Sequence, residues 1–123
     1  MSKTILIVED NENNMMLVRD VLELKGYSVL AATTGGEGVR LALDNKPDLI
    51  LMDIHLPDID GVTALKQIRA DDAAKAIPML AVSASAMPEE RRKILASGFD
   101  DYITKPLNMK SFVETIEKFI AKA

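Results

Sequence analysis

The sequence predicts an α/β fold: a parallel sheet of five strands in the order 2-1-3-4-5, flanked by five helices. Two observations lead to this prediction. Short, continuously apolar runs, typical of strands buried on both faces, alternate five times with segments of helical periodicity. Strands separated by helices form a parallel sheet with helices on both faces, and 2-1-3-4-5 is a common order for five strands.

The first half of the chain contains three of the predicted strands and two of the helices. The strands are residues 5–8, 29–32 and 49–52. The first helix, residues 11–25, carries apolar residues at helical spacing and ends at Gly26. The second helix, residues 35–45, is predicted to be weaker, because its three glycines each cost roughly 1 kcal/mol in a helix interior.

The second half contains two further strands, residues 79–82 and 102–104, and three helices. Asp60 and Gly61 begin the third helix. Pro88, followed by two acidic residues, begins the fourth helix, whose basic run at residues 91–93 is interpreted as a solvated face. Asn108 is a suitable cap for the last helix, which has a clear apolar stripe. The stripe consists of Phe112, Val113, Ile116, Phe119 and Ile120.

Composition restricts the classes of protein that fit. A chain of 123 residues is the size of one domain, and the absence of cysteine excludes disulfides and thiolate metal sites. The apolar runs are too short to cross a membrane, and no signal-peptide core follows the N-terminus, so a cytoplasmic protein is expected. The net charge of −4 argues against nucleic-acid binding, which needs a basic surface.

Polar residues follow four of the five predicted strands, at the point where each strand ends. Glu9 and Asp10 follow the first strand, Asp53 the third, Ser83 the fourth and Lys105 the fifth. Right-handed crossovers bring the carboxyl ends of parallel strands to one edge of the sheet, where ligands bind in this class of fold. The predicted order makes the first and third strands neighbours, so we expect the carboxylates to lie together.

The grouped carboxylates predict a site for a metal ion and for phosphoryl transfer. Carboxylates about 4 Å apart repel each other by roughly 4 kcal/mol at an effective dielectric constant of 20, so the cluster must hold a proton or a cation. Oxygen ligands favour Mg²⁺, and the backbone carbonyl of His55 could complete the set. Asp53 is the candidate nucleophile toward phosphorus, and Lys105 and Ser83 are candidates for contacting the phosphoryl oxygens.

Simpler interpretations of the same residues stay open at this point. Asp10 or Asn11 could simply cap the helix that follows, and Ser83 is a residue type that commonly caps helices or turns. Tyr102 could change rotamer when Ser83 binds a phosphoryl group, but it fits equally well as a half-buried strand aromatic. Lys105 is most simply a surface lysine, and Pro106 after it is a candidate for a cis bond although only about 5–6% of such bonds are cis.

Taken together, these residues resemble the receiver domains of bacterial response regulators, which have a flavodoxin-like fold. The resemblance covers the whole chain, and its motifs are specific in their order and spacing rather than one by one. They are Glu9-Asp10, Leu49-Ile50-Leu51-Met52-Asp53, Pro57-Asp58-Ile59-Asp60-Gly61, Ser83-Ala84 and Lys105-Pro106.

The resemblance implies a role for each carboxylate. Asp53 would accept a phosphoryl group from a histidine kinase or a phosphotransfer protein. Asp10, Asp53 and the His55 carbonyl would hold Mg²⁺, or Mn²⁺ in its place, and Glu9 would act on the metal through water. Many members of the family have aspartate where this chain has Glu9.

The resemblance also implies how a signal leaves the domain. Lys105 would contact the phosphoryl group, and Ser83 and Tyr102 would form a switch pair that acts on the face made by the fourth helix, the fifth strand and the fifth helix. Residues 1–123 would then be a single receiver domain without an output domain. Such a protein is a monomeric switch that binds kinases and target proteins, here in control of cell division, and it catalyses only its own phosphorylation and dephosphorylation.

Two other functions would use parts of the same pattern. A small phosphatase with haloacid-dehalogenase-like chemistry would also use Asp53 as its nucleophile, but it needs an acid two residues later, where this chain has His55. A flavin-binding protein of the flavodoxin type needs a hydroxyl- and glycine-rich loop after the first strand. The acidic residues Glu9, Asp10 and Glu12 would repel the flavin phosphate there.

Overall fold

A computed structural model of the protein describes residues 3–84 and 87–121. Five strands alternate with five helices along the chain, as the sequence predicts. The strands are β1 (Thr4–Val8), β2 (Ser28–Ala32), β3 (Leu49–Asp53), β4 (Met79–Ser83) and β5 (Asp101–Thr104). The helices are α1 (Glu12–Leu24), α2 (Gly35–Asn45), α3 (Gly61–Arg69), α4 (Pro88–Ala96) and α5 (Met109–Ile120).

The strands form one parallel sheet in the order β2-β1-β3-β4-β5, which confirms the predicted order. β1 lies between β2 and β3, with Val8 opposite Met52 in the register of the central pair. β3 and β4 are buried at every residue, because helices cover both faces of the sheet. All strand ends that carry the predicted site residues therefore lie at one edge.

Each face of the sheet has its own apolar core. On one face α1 and α5 pack through residues such as Leu22 and Ile116, both fully buried. On the other face α2, α3 and α4 pack through residues such as Leu65 and Ile94. None of the helices in the described parts of the chain has the length and apolar character that crossing a bilayer requires.

Side chains cap the helices where the sequence suggested. Asn11, Asp60 and Asn108 accept hydrogen bonds from backbone N–H groups in the first turns of α1, α3 and α5. Pro88 lies in the first turn of α4, and Gly98, just beyond that helix, has a φ of +126°. The ends of these elements are thus determined by local chemistry that can be read from the sequence.

Candidate phosphoryl and metal site

The carboxyl edge of the sheet brings four of the predicted site residues into one cluster. Asp53 is the last residue of β3, and Glu9 directly follows β1, where its N–H donates to the carbonyl of Ala32 at 3.0 Å. One carboxylate oxygen from each of Glu9, Asp10 and Asp53 lies within 4.8 Å of the others. Lys105, just beyond β5, completes the cluster.

Lys105 pairs with two of the three carboxylates. Its Nζ lies 2.8 Å from Glu9 Oε1 and 3.0 Å from Asp53 Oδ2. Glu9 and Asp53 are only 6% and 5% exposed, whereas Asp10 is exposed. The N–H of Lys105 donates a hydrogen bond to the carbonyl of Ser83 at 2.8 Å, and the peptide bond between Lys105 and Pro106 is cis.

The pKa values of the cluster reflect its burial and its charges. Burial raises the pKa of Glu9, the neighbouring Asp53 raises it further, and Lys105 lowers it to a smaller extent. Burial lowers the pKa of Lys105, but its bonds to Glu9 and Asp53 act in the opposite direction and leave that pKa raised. The Lys105 ammonium therefore stays protonated at neutral pH, beside carboxylates that repel one another.

The residues present fit a hard divalent cation. The three carboxylates of Glu9, Asp10 and Asp53 outnumber the single ammonium of Lys105. Glu9 Oε2 is buried and has no hydrogen-bond partner within residues 3–84 and 87–121. An unpaired buried acceptor of this kind is costly, and a cation or a water held by a cation would satisfy it. An all-oxygen donor set is the kind that Mg²⁺ prefers.

His55 contributes to the site through its backbone. Its N–H donates to Asp53 Oδ1 at 3.0 Å, which orients the carboxylate. Its imidazole is 69% exposed and lies 3.8 Å from Glu90 in α4. The position that a haloacid-dehalogenase-like phosphatase needs for its acid is therefore occupied by a side chain that contacts α4.

Ser83 and Tyr102 lie on neighbouring strands. Ser83, the last residue of β4, is completely buried. The register pairs Ala81 with Tyr102, so Tyr102 and Ser83 belong to the same face of the sheet, two residues apart along the strands. Tyr102 is 7% exposed, and the guanidinium of Arg91 in α4 lies over its ring, 5.9 Å from the centroid.

Sequence analysis missed two contributors to the surroundings of the site. The sequence predicts a solvated face for Arg91; the residue is exposed, and its guanidinium also covers the ring of Tyr102. Asp58, which the sequence shows only as part of the Pro57-Asp58-Ile59-Asp60-Gly61 motif, accepts hydrogen bonds from the N–H groups of Gly35 and Gly36 at the start of α2. The glycine pair at 35 and 36 is the trace of this contact in the sequence, whereas helix propensity alone treats it as a cost to α2.

Comparison with known proteins agrees with this geometry. The family model for the response regulator receiver domain matches residues 5–117. The chain is 42% identical over 123 residues to the polar-differentiation response regulator DivK of Brucella anthropi, with all of both chains covered. The DivK protein of Brucella ovis has the same identity and coverage.

Solved structures of receiver domains share the fold. The receiver domain of the sensor histidine kinase PA1611 from Pseudomonas aeruginosa has a TM-score of 0.91 and 33% identity, covering 98% of this chain and 99% of that one. That structure contains a magnesium ion coordinated in its active-site cleft. The chemotaxis response regulator CheY4 of Vibrio cholerae has a TM-score of 0.91 and 25% identity, covering 97% and 99%.

These matches do not support the phosphatase alternative, and they agree with the signalling interpretation of the acidic cluster. A family match over nearly the whole chain and relatives of the same length both lead to one assignment. The chain belongs to the family of response regulator receiver domains.

Proposed function

We propose that this protein is a phosphorylation-controlled switch in which Asp53 accepts a phosphoryl group from a histidine kinase or a phosphotransfer protein. The observation that carries the proposal is the cluster at the carboxyl edge. Asp53 is buried, its Oδ1 accepts the His55 N–H, and its Oδ2 lies 3.0 Å from the Lys105 ammonium. The nucleophile is therefore oriented on one side and has a cation on the other.

The transfer step forms a bond between an oxygen of Asp53 and phosphorus, while the P–N bond of a phosphohistidine donor breaks. The electron pair returns to the imidazole nitrogen of the donor, which then takes up a proton. The Lys105 ammonium would pair with the oxygens of the phosphoryl group on Asp53 and neutralise their charge, and the Ser83 hydroxyl would donate a hydrogen bond to one of them.

Glu9, Asp10, Asp53 and the His55 carbonyl would hold Mg²⁺, or Mn²⁺ in its place, with Glu9 acting through a water. When bound, such an ion would neutralise charge on the phosphoryl oxygens. The buried Oε2 of Glu9, which has no hydrogen-bond partner among the described residues, supports this assignment.

The output would use the face made by α4, β5 and α5. Tyr102 in β5, buried beneath Arg91 of α4, would respond when Ser83 is drawn toward the phosphoryl group. A charge-assisted hydrogen bond of roughly 1.5–3 kcal/mol shifts a two-state equilibrium by about 10- to 150-fold, which is enough for a switch. Target proteins would bind this face, as would kinases that read the state of the switch.

The DivK relatives, which are polar-differentiation response regulators, support a role in polar differentiation, because the chain matches them over their whole length. Control of cell division is the role that the family resemblance implies. We expect residues 1–123 to act as a single, monomeric, cytoplasmic receiver domain that binds neither nucleic acid nor membrane. Its chemistry would be limited to gaining and losing its own phosphoryl group.

The test is to treat the protein with a small acyl phosphate and Mg²⁺ and to follow its intact mass. We expect one added phosphoryl group, which is lost in Asp53→Asn and when Mg²⁺ is chelated. Asp44→Asn, an exposed aspartate on α2, is the control and should be labelled like the wild type. A labelled Asp53→Asn protein would refute the assignment, and rapid steady-state hydrolysis of phosphate monoesters would favour a phosphatase.

A further inference from the structure

The loop that carries His55, residues 54–60 between β3 and α3, is tied at its base. The N–H of Ile54 donates to the carbonyl of Val82 at 3.1 Å. The N–H of Gly61, the first residue of α3, donates to the carbonyl of Ile54 at 2.9 Å and closes the loop. A Cβ at Gly61 would lie 2.6 Å from the carbonyl oxygen of Asp53, so only glycine permits this closure without a shift of the backbone.

The far side of the same loop is tied to a different element. The two oxygens of the Asp58 carboxylate accept hydrogen bonds from the N–H groups of Gly35 and Gly36, at 2.7 and 2.8 Å. These N–H groups are in the first turn of α2, where a helix has no partners of its own for them. The N–H of Gly36, followed by those of Ile59 and Gly35, lowers the pKa of Asp58, so the carboxylate is ionised at neutral pH.

The glycines of α2 make this contact sterically feasible. A Cβ at Gly35 would lie 2.4 Å from Cγ1 of Ile59, and a Cβ at Gly36 would lie 3.2 Å from Oδ2 of Asp58. The start of α2 therefore lacks side chains at the two positions where the loop packs against it. The same glycines appeared as a cost to the helix in the sequence, and the packed loop explains their presence.

His55 lies between these two attachments, one residue after the base and three residues before Asp58. If the Asp58 attachment is lost, residues 55–58 gain conformational freedom, and that freedom must be removed whenever the His55 carbonyl binds an ion. We propose that Asp58 is a positioning residue for the metal site: its bonds to α2 hold the loop so that the His55 carbonyl is ready to bind. This inference rests on the proposed magnesium site and adds a residue that does not touch the ion.

The test is the affinity of the unphosphorylated protein for Mg²⁺, measured by calorimetry. Removal of a residue that bonds directly to a metal ligand typically costs roughly 10- to 100-fold in affinity, and because Asp58 acts from three residues away we expect Asp58→Ala to raise the Kd by about 5-fold. Asp58→Asn keeps one acceptor oxygen and should fall between Asp58→Ala and the wild type. Amide hydrogen exchange at His55 should be faster in Asp58→Ala than in the wild type.

Thr34→Ala is the matched control. Thr34 caps the same end of α2 by accepting the N–H of Glu37 at 3.1 Å, and this bond stays within α2. The variant weakens α2 without releasing the loop, so its Kd for Mg²⁺ should stay within about 2-fold of the wild type. Gly35→Ala displaces Ile59 while leaving the Asp58 charge in place, and it should weaken Mg²⁺ binding as Asp58→Ala does.

The possible outcomes separate the inference from the function on which it rests. If the wild type binds Mg²⁺ and Asp58→Ala binds it equally well, the positioning role is wrong and the proposed function stands. If Thr34→Ala weakens binding as much as Asp58→Ala, general loss of α2 stability is the cause, which also overturns the positioning role. If the wild type itself does not bind Mg²⁺, both proposals are wrong.

Discussion

The ammonium of Lys105 lies 3.0 Å from the carboxylate of Asp53, so the proposed phosphoryl acceptor is already paired with a cation of its own chain. The same ammonium lies 2.8 Å from Glu9. One cation therefore counteracts the repulsion between two buried carboxylates at the carboxyl ends of β1 and β3, strands that lie far apart in sequence. The stability of the buried carboxylates therefore depends on a nearby cation, which is either Lys105 or a bound metal ion.

We expect Lys105→Met to lower the free energy of unfolding by about 1–3 kcal/mol without divalent ions, because Glu9 and Asp53 lose their partner. Added Mg²⁺ should recover more stability in the variant than in the wild type, since no ammonium would then repel the ion. Urea denaturation with and without Mg²⁺ measures both effects. Lys75→Met is the control, because the Lys75 ammonium is exposed and its one ion pair within residues 3–84 and 87–121 is with the exposed Asp72, at 3.4 Å. An equal gain from Mg²⁺ in wild type and Lys105→Met would contradict this prediction.

Because the guanidinium of Arg91 lies over the ring of Tyr102, removal of the Arg91 side chain should change the rotamer populations of Tyr102. Cation–π contacts at exposed sites contribute about 0.5–1 kcal/mol, so Arg91→Ala should increase the population of outward Tyr102 rotamers by about two- to five-fold. The ring resonances of Tyr102 in the unphosphorylated protein report this population by NMR. Arg92→Ala removes an adjacent exposed arginine and is the control. Identical Tyr102 spectra in both variants would show that Arg91 does not hold the ring.

Asp60 predicts a specific dependence of stability on pH. The N–H of Thr63, which donates to Asp60 Oδ1 at 2.8 Å, lowers the pKa of this carboxyl in the folded state. A folded pKa below the unfolded value of about 3.9 gives stability that is present above that value and lost as the pH falls through the folded pKa. Asn caps a helix about as well as Asp, so Asp60→Asn should be close to the wild type in acid and less stable at neutral pH. Urea denaturation between neutral and acidic pH tests this; a difference independent of pH would refute it.

The order of elements and the composition of the site could be predicted from the sequence because both depend on local patterns. Apolar runs ending in Asp53 and Ser83 give the strands and the edge at which their polar residues meet. The bonds of Lys105 to Glu9 and of Asp58 to Gly35 join residues 96 and 23 positions apart. No periodicity or local propensity encodes such contacts, so they emerge only when the packing is known.

Gly38 is a second position where a local rule, here helix propensity, gives the wrong expectation because it ignores packing. By helix propensity alone, Gly38→Ala should stabilise α2 by roughly 1 kcal/mol. In the structure, a Cβ at this position would lie 2.6 Å from Cγ2 of Val8, in the buried strand that precedes Glu9. We therefore expect Gly38→Ala to lower the free energy of unfolding by about 1–3 kcal/mol, as overpacking of a core does. A stabilised variant in thermal or urea denaturation would show that Val8 and α2 move apart easily.

Arg69 at the end of α3 joins segments at the opposite edge of the sheet. Its guanidinium donates to the carbonyls of Lys75 (2.7 Å), Ile77 (2.5 Å) and Gly98 (3.3 Å), and it pairs with Asp100 at 3.1 Å. The carboxylate of Asp100 also accepts the N–H of the first residue of β4, at 2.8 Å. One arginine therefore connects the loops before β4 and β5.

Because hydrogen bonds to charged groups contribute about 1.5–3 kcal/mol, we expect Arg69→Ala to lower the free energy of unfolding by roughly that amount. Arg40→Ala is the control, since in the part of the chain that the structure describes its one ion pair is the exposed 3.9 Å contact with Glu37, and its loss should change stability by less than about 1 kcal/mol. Arg69→Lys keeps the charge, but its compact ammonium lacks the planar fork whose two nitrogens reach acceptors in separate segments, so it should recover only part of the loss. Full recovery in Arg69→Lys, measured by urea denaturation, would mean that charge rather than the forked geometry holds the two loops together.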